Sequence, residues 1–298
     1  MKSSLNIRKK EAREFYLYIS PWLIGFMFIT AGPMLVSIFL SFTRWDIISS
    51  PKWIGFNNFK ELLLGDPLFW KSLKVTVLYS FVAVPLQLTT SLLVAILLNQ
   101  KIKVMGLFRT IFYLPTVLPV VASTMLWMWL YFPDGLVNYF LGKFGVAPHA
   151  WLMEEQYAIW ALIAMSLWGF GTSMIIFLAG LQGIPQTLYE ACTIDGANWW
   201  SKFWNVTIPM LSPIIFFNFV MGVIGTFQVF TQGYIMTRGG PNHSTLFYVL
   251  YLYQNAFEYL RMGYASAMAW ILFFILMSLT LLIIKSSSFW VYYEAKRG

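Results

Sequence analysis

Lysine, arginine, aspartate and glutamate are distributed along this chain so that six long windows contain none of them: residues 15 to 43, 75 to 100, 110 to 133, 156 to 189, 203 to 237 and 262 to 284. A helix needs about 20 apolar residues to cross a bilayer. The pattern therefore predicts six spanning helices, at 16 to 42, 74 to 98, 108 to 132, 157 to 181, 210 to 236 and 263 to 285. A seventh window, 239 to 257, opens on Gly239-Gly240-Pro241-Asn242-His243. About fourteen helical residues remain in it, too few for a hydrocarbon core of about 30 Å, and it reads as a loop followed by an interfacial helix. The first window follows a basic segment, as a signal peptide would, but its apolar stretch is about twice as long as a signal h-region and has no small-x-small cleavage site. It is expected to stay in the protein as the first span.

Direction follows from the basic residues. Lys2, Arg8, Lys9, Lys10 and Arg13 precede the first span and place the N-terminus inside by the positive-inside rule. An even number of crossings brings the C-terminus to the same side. Lys101, Lys103, Arg109, Lys202, Lys285, Lys296 and Arg297 then join the first five on the inside, so twelve of the 20 basic residues are cytoplasmic. Composition agrees with a lipid environment: 59% of residues are hydrophobic, 11% are charged and mean hydropathy is +0.67, against about 25% charged in soluble domains. A water-soluble enzyme is excluded. The net charge of +8 is read as topology and contact with membrane lipid, not as nucleic-acid binding, because no groove-reading motif accompanies it. With no soluble insertion, repeat or linker, residues 1–298 are expected to form one transmembrane domain, 1–15 being a cytoplasmic segment.

Candidate chemistry is limited by what is missing. The single cysteine, Cys192, rules out intrachain disulfides and Cys-rich metal sites, and His149 and His243 form no metal-ligand pair. All ionisable groups except tyrosine fall at or beyond the ends of the predicted spans, whereas a proton-coupled transporter carries such groups within the membrane. No catalytic constellation can be assembled, and there is no phosphate-binding Gly-x-x-x-x-Gly-Lys-Ser/Thr motif. The chain is not expected to be an enzyme or to hold a metal or cofactor, and energy for transport must come from another subunit.

Uncharged polar residues do occur in the spans: Gln87, Thr89, Thr90 and Ser91 in the second, Ser166 and Thr172 in the fourth, and Asn218, Thr226, Gln228, Thr231 and Gln232 in the fifth. Interhelical hydrogen bonding is one reading of them, worth about 1 kcal/mol per pair in membranes. A pathway for a neutral, hydroxylated solute is the other. Gly222 and Gly225 permit close approach of backbone or ligand on the fifth span, where Phe227 and Phe230 interleave. Trp127, Trp129 and Tyr131 at the outer end of the third span read as an interface belt.

Between the fourth and fifth spans, residues 183 to 209 predict a helix–turn–helix. Pro185 suits the first turn, Gly196 suits a left-handed C-cap, and a second short helix from Trp199 to Val206 should stop before Pro209. A short amphipathic helix of this kind suits docking into a groove on a soluble partner; a connector lying on the membrane surface is the alternative. Glu190-Ala191, then Asp195-Gly196-Ala197 and Ile208-Pro209, resemble the EAA loop of binding-protein-dependent ABC importer permeases, with Cys192 in place of the second alanine. Trp53-Ile-Gly-Phe-Asn-Asn-Phe59, Phe108-Arg109-Thr-Ile-Phe-Tyr-Leu-Pro115, Thr237-Arg238-Gly-Gly-Pro-Asn242 and Ala256-Phe257-Glu258-Tyr259 resemble the carbohydrate branch, with its maltose-permease-like, MetI-like subunits.

The resemblance implies an all-α permease of six transmembrane helices, with both termini cytoplasmic, in a bacterial or archaeal cytoplasmic membrane. It also implies a second homologous permease, two cytoplasmic ATPase subunits that bind the ATP and magnesium, and an extracytoplasmic solute-binding protein. It assigns coupling to the ATPase to the loop at 182–209, through Glu190, Ala191, Asp195, Gly196 and Ala197. It places substrate contacts at Ser166, Gly169, Thr172, Gly222, Gly225, Thr226, Gln228 and Val229. The implied cargo is a mono- or oligosaccharide; another solute, such as a glycerol-phosphate ester, is the alternative.

Overall fold

The computed structural model describes residues 2–100 and 103–292, and for residues 2–10 and 12 it describes the backbone alone. The side chains of Lys2, Arg8, Lys9 and Lys10, and the whole of Lys101, Lys296 and Arg297 from the topology count, lie outside the described residues. The fold is helical, with one two-stranded ribbon among the described residues. Among the described residues four helices are long and apolar enough to cross a membrane, and six spans result when each of two bent helix pairs is counted once. These are Arg13–Ser41, Pro67–Leu98, Met105–Val117 with Val120–Leu130, Glu155–Gly169 with Gly171–Gly183, Trp199–Phe227 and Met262–Trp290, numbered here as spans one to six. Each coincides with one of the six apolar windows. The chain divides into two compact units, Met1–Gly65 with Leu252–Phe273, and Asp66–Tyr251 with Phe274–Gly298.

In the first unit, span one passes through a wider π-helical turn at Phe26–Ala31, after which Pro33 occupies the first turn of the continuing helix, where its missing N–H costs least. Beyond the span, Thr43–Arg44 pairs antiparallel with Lys52–Trp53. Buried Asn58 donates from Nδ2 to the carbonyls of Ser41 (2.8 Å) and Thr43 (2.9 Å), satisfying acceptors that the end of a helix leaves free. Phe42 packs against Trp53, Phe56 and Phe59. The segment Trp53 to Phe59 therefore closes off the end of the first span. Arg261 pairs with Glu61 at 2.6 Å and lies over the Tyr264 ring at 4.0 Å.

The second unit is built on spans two, four and five. Span two starts seven residues earlier than its hydropathy predicts, because Asp66 caps it by accepting from the N–H groups of Leu68 (2.9 Å) and Phe69 (3.2 Å), with Pro67 at the first position. Lys71 and Lys74 thus fall in its opening turns. Ala95, Leu98, Met174, Phe177, Leu181 and Leu211 form a core between the three spans. Gly180 lets span five pack closely on span four: a Cβ there would collide with the Ile214 and Leu211 side chains.

Four local expectations change. Span five does not run to 236: its helix ends at Phe227, Gln228–Phe230 are not helical, and a short π-helical turn follows at Gly233–Thr237. The helix that begins at Trp199 does not stop before Pro209 but continues into span five. A π-helical turn at Phe203–Thr207, in which Ile208 N–H donates to the Phe203 carbonyl five residues back, re-aims the carbonyls that an α-helix would press against the proline ring. The expected interfacial helix is Tyr248–Tyr253, and its Tyr248, Leu250 and Tyr251 are buried in protein, not laid on a surface. Tyr131 likewise leaves the expected aromatic belt: it is buried, and its hydroxyl donates to the Ala161 carbonyl at 2.8 Å.

Candidate functional site

Uncharged polar side chains on apolar helices have to find partners or face a cavity. Here they do both. Spans two to five of the second unit surround a cavity of about 470 Å³. Seven of the eight expected pathway positions line it: Ser166, Gly169, Thr172, Gly222, Gly225, Thr226 and Val229. Gln228 does not. It caps the end of the helix at Phe227, and its side chain is exposed outside the cavity.

Among the described residues the lining contains no carboxylate, lysine, arginine or histidine. Its polar groups are hydroxyls and amides held in fixed directions. Gln87 Nε2 donates to the Ser166 carbonyl at 3.3 Å, and Ser166 Oγ donates to Ile163 at 2.6 Å. Ser80 and Thr226 share a buried hydroxyl–hydroxyl bond of 2.7 Å, and Tyr79 contributes a buried phenol to the wall. Asn218 donates to the Ile214 carbonyl at 3.0 Å. Gly169 and Gly225 widen the bore, since a Cβ at either meets nothing within 4 Å, whereas at Gly222 it meets Val84 at 3.2 Å.

The helices give up regular structure at the level of this cavity. Span three turns by 96° between Val117 and Val120, and span four by 45° near a 3-10 turn at Leu167–Gly169. Tyr79, Thr116, Ser123 and Trp168 also line the cavity, and the sequence does not single them out. Pro115 and Pro119, bracketing Thr116 within an apolar run, are the available signal for a break on span three. Trp168 has none, because hydropathy does not distinguish a cavity wall from a lipid-facing ring.

The loop between spans four and five has the expected first helix and glycine turn. Helix Gln186–Ile194 starts after Pro185 and ends at Asp195. Gly196 follows with φ +75°, a conformation that favours glycine. Its N–H donates to the Thr193 carbonyl at 3.1 Å and Ala197 N–H to Cys192 at 2.9 Å, the two bonds of a Schellman cap. Asn198 then caps the next helix through Ser201 N–H at 2.9 Å. The hairpin is tied by Tyr189 to Thr207 (3.0 Å) and by Lys202 Nζ donating to Thr193 (2.8 Å). Glu190, Ala191 and Asp195 are exposed, with Leu188 and Ile194 beside them, and Glu190 and Asp195 have no ion pair among the described residues. Among the described residues no group of His, Cys, Asp and Glu is placed to hold a metal ion.

Comparison with known proteins fits this geometry. The chain is 47% identical over 300 residues, covering 99% of itself and 97% of the relative, to a probable ABC transporter permease protein, YesP, of Bacillus subtilis (strain 168). It is 35% identical over 264 residues, covering 83% of itself and 88% of the relative, to the lactose transport system permease protein LacF of Rhizobium radiobacter. Its fold is shared with a chain of a bacterial ABC transporter involved in import of the acidic polysaccharide alginate, at a TM-score of 0.81 and 23% identity over 95% of this chain and 98% of that one. Residues 87–293, which contain most of the cavity lining and the whole loop, match the family described as binding-protein-dependent transport system inner membrane component. This chain therefore belongs to that family of ABC transporter permeases, and is a transport component, not an enzyme.

Proposed function

We propose that this chain is a permease subunit of an ABC importer that passes a neutral or mostly neutral mono- or oligosaccharide, delivered by an extracytoplasmic binding protein, across a bacterial or archaeal cytoplasmic membrane. The observation that carries the reading is the chemistry of the 470 Å³ cavity: hydroxyls, amides, an indole and a phenol set among apolar side chains, with no charged group among the described residues. Such a wall matches the hydroxyls and apolar ring faces of a sugar, and gives an anionic solute no counter-charge in a low dielectric. LacF is a lactose transport permease, and the alginate importer of similar fold handles an acidic polysaccharide. Fold alone therefore does not select the cargo, and the lining has to.

The chain supplies half of the machine. A second, homologous permease completes the pathway, and two cytoplasmic ATPases hold ATP and magnesium. The loop at 182–209 passes their motion to span five, to which it is joined by continuous helix from Trp199. Both termini and this loop lie on the cytoplasmic side, and residues 1–298 act as one transmembrane domain.

Affinity purification of the tagged chain from its native membrane should recover a homologous permease and an ATPase, and the cognate binding protein should be stabilised against heat by neutral saccharides. A chain that transports solute alone, or a binding protein stabilised only by uronic-acid saccharides or phosphate esters, would defeat the reading.

A further inference from the structure

A second cavity, of about 380 Å³, is walled by Met128, Tyr131, Phe132, Met153, Met236 and Thr237 among others. Two elements set its position. On helix Val120–Leu130, Val120 and Ser123 line the main cavity and Met128 lines the second. In the stretch after span five, Val229 and Gln232 line the main cavity and Met236 and Thr237 the second. Five helical residues advance about 7.5 Å, so the two chambers follow one another in the same order along both elements.

Trp127 lines neither cavity but packs against a wall residue of each. Its ring centroid is 5.9 Å from that of Trp168, which lines the main cavity, and 5.3 Å from that of Tyr131, which lines the second. Its indole Nε1 is buried with no hydrogen-bond partner among the described residues. Buried donors are nearly always paired, so this ring gains an acceptor whenever it moves toward water or a solute hydroxyl in either chamber. Its neighbours have no such incentive. The Tyr131 hydroxyl donates to Ala161, and the Thr237 hydroxyl is engaged with Gly233 and Thr245. The second chamber consequently presents thioether, aromatic and prolyl surface with its side-chain hydroxyls already engaged. Such a surface lets a hydroxylated solute pass without holding it, whereas the polar main cavity retains it.

We propose that Trp127 is a gate between an outer, weakly binding vestibule and the solute cavity. The ring in its present position closes the partition, and swinging it to donate Nε1 to a solute hydroxyl opens the way. The nature of that solute rests on the carbohydrate reading above; the partition does not.

The test uses the complete transporter in intact cells, in a Cys192→Ser background, with a membrane-impermeant maleimide added outside. Met153→Cys, on the vestibule, should react readily whether or not Trp127 is present. Ser166→Cys, in the main cavity, should react slowly with Trp127 in place and about tenfold faster with Trp127→Ala, because labelling follows the population of the open form. Trp127→Phe, which keeps a ring in the partition, should restore slow labelling. Trp127→Leu is read by the same criterion if the alanine variant does not assemble. Equal rates at Ser166→Cys with and without the indole, or a Met153→Cys that is unreactive from outside, would overturn the gate. A transporter with the expected labelling that no saccharide energises overturns the carbohydrate reading instead, so the two failures are separable.

Discussion

Replacing Gly196 by valine is expected to lower binding-protein-stimulated ATP hydrolysis and solute uptake by about tenfold or more, with the spans inserted as before. Gly196 has φ +75° and nothing within 4 Å of where a Cβ would lie, so the obstacle to substitution is conformational, not steric crowding by neighbours. A left-handed conformation costs an ordinary L-residue roughly 1–2 kcal/mol, and a β-branched one more. Valine would therefore abandon the turn and with it both cap bonds, from Gly196 to Thr193 and from Ala197 to Cys192. The Gln186–Ile194 helix would then be misaimed and exposed Glu190 with it, which, on the coupling role proposed above, weakens docking to the ATPase. Glu190→Ala tests the contact without disturbing the turn. Loss of one charge-assisted hydrogen bond is worth about 1.5–3 kcal/mol, and about 1.4 kcal/mol is tenfold in affinity. ATP hydrolysis and uptake by both variants in nanodiscs and proteoliposomes, compared with the unsubstituted complex, check this. Unchanged values in both variants would return the loop to a passive connector on the membrane surface.

The second large effect is expected at Gly225. Phenylalanine there would project into the cavity, where a Cβ meets nothing within 4 Å. Uptake of an oligosaccharide should fall by an order of magnitude. Thermal stability should hold or rise slightly, since Gly225 lies in the last turn of its helix and replacing it removes at most about 0.5–1 kcal/mol of backbone entropy cost. Gly180→Phe is the contrasting variant: its side chain would run into Ile214 and Leu211, and overpacking of this kind typically costs about 1–3 kcal/mol. Loss of transport with retained stability at 225, and loss of stability at 180, would separate a glycine that widens a passage from one that permits helix packing. Melting curves and uptake on the same preparations read both. Equal destabilisation at the two sites would contradict the cavity assignment.

Much of this architecture is legible without coordinates, because a bilayer imposes a length and a polarity on every crossing. The six windows coincide with the six spans, and the turn at Gly196 is written in the residues, since few side chains tolerate that backbone. What hydropathy does not display is where helices break. The 96° turn after Val117 and the interruption at Gln228–Phe230 both lie inside charge-free windows, and only the first carries a local signal, in Pro115 and Pro119. Tertiary packing decides them, and Gln228 leaves the cavity for that reason. Pro209 misleads in the opposite sense: a proline normally ends a helix, but the π-helical turn before it accommodates the ring and keeps loop and span as one element. Tyr248–Tyr253, short and rich in tyrosine, has an interfacial composition, and only burial reveals it as core. The cavity is half visible: Ser166, Thr172 and Thr226 announce themselves as polar residues in lipid, while Trp168 and Tyr79 do not.

Passage of a neutral sugar through this cavity is tested most directly by ATP-driven uptake into proteoliposomes that carry the complete transporter, with its binding protein outside, from parallel panels of neutral and uronic-acid oligosaccharides. The expected result is accumulation of a neutral saccharide that depends on ATP and binding protein and is lost in Gly225→Phe. Accumulation confined to the acidic panel, or uptake of the neutral sugar that Gly225→Phe leaves intact, would contradict it.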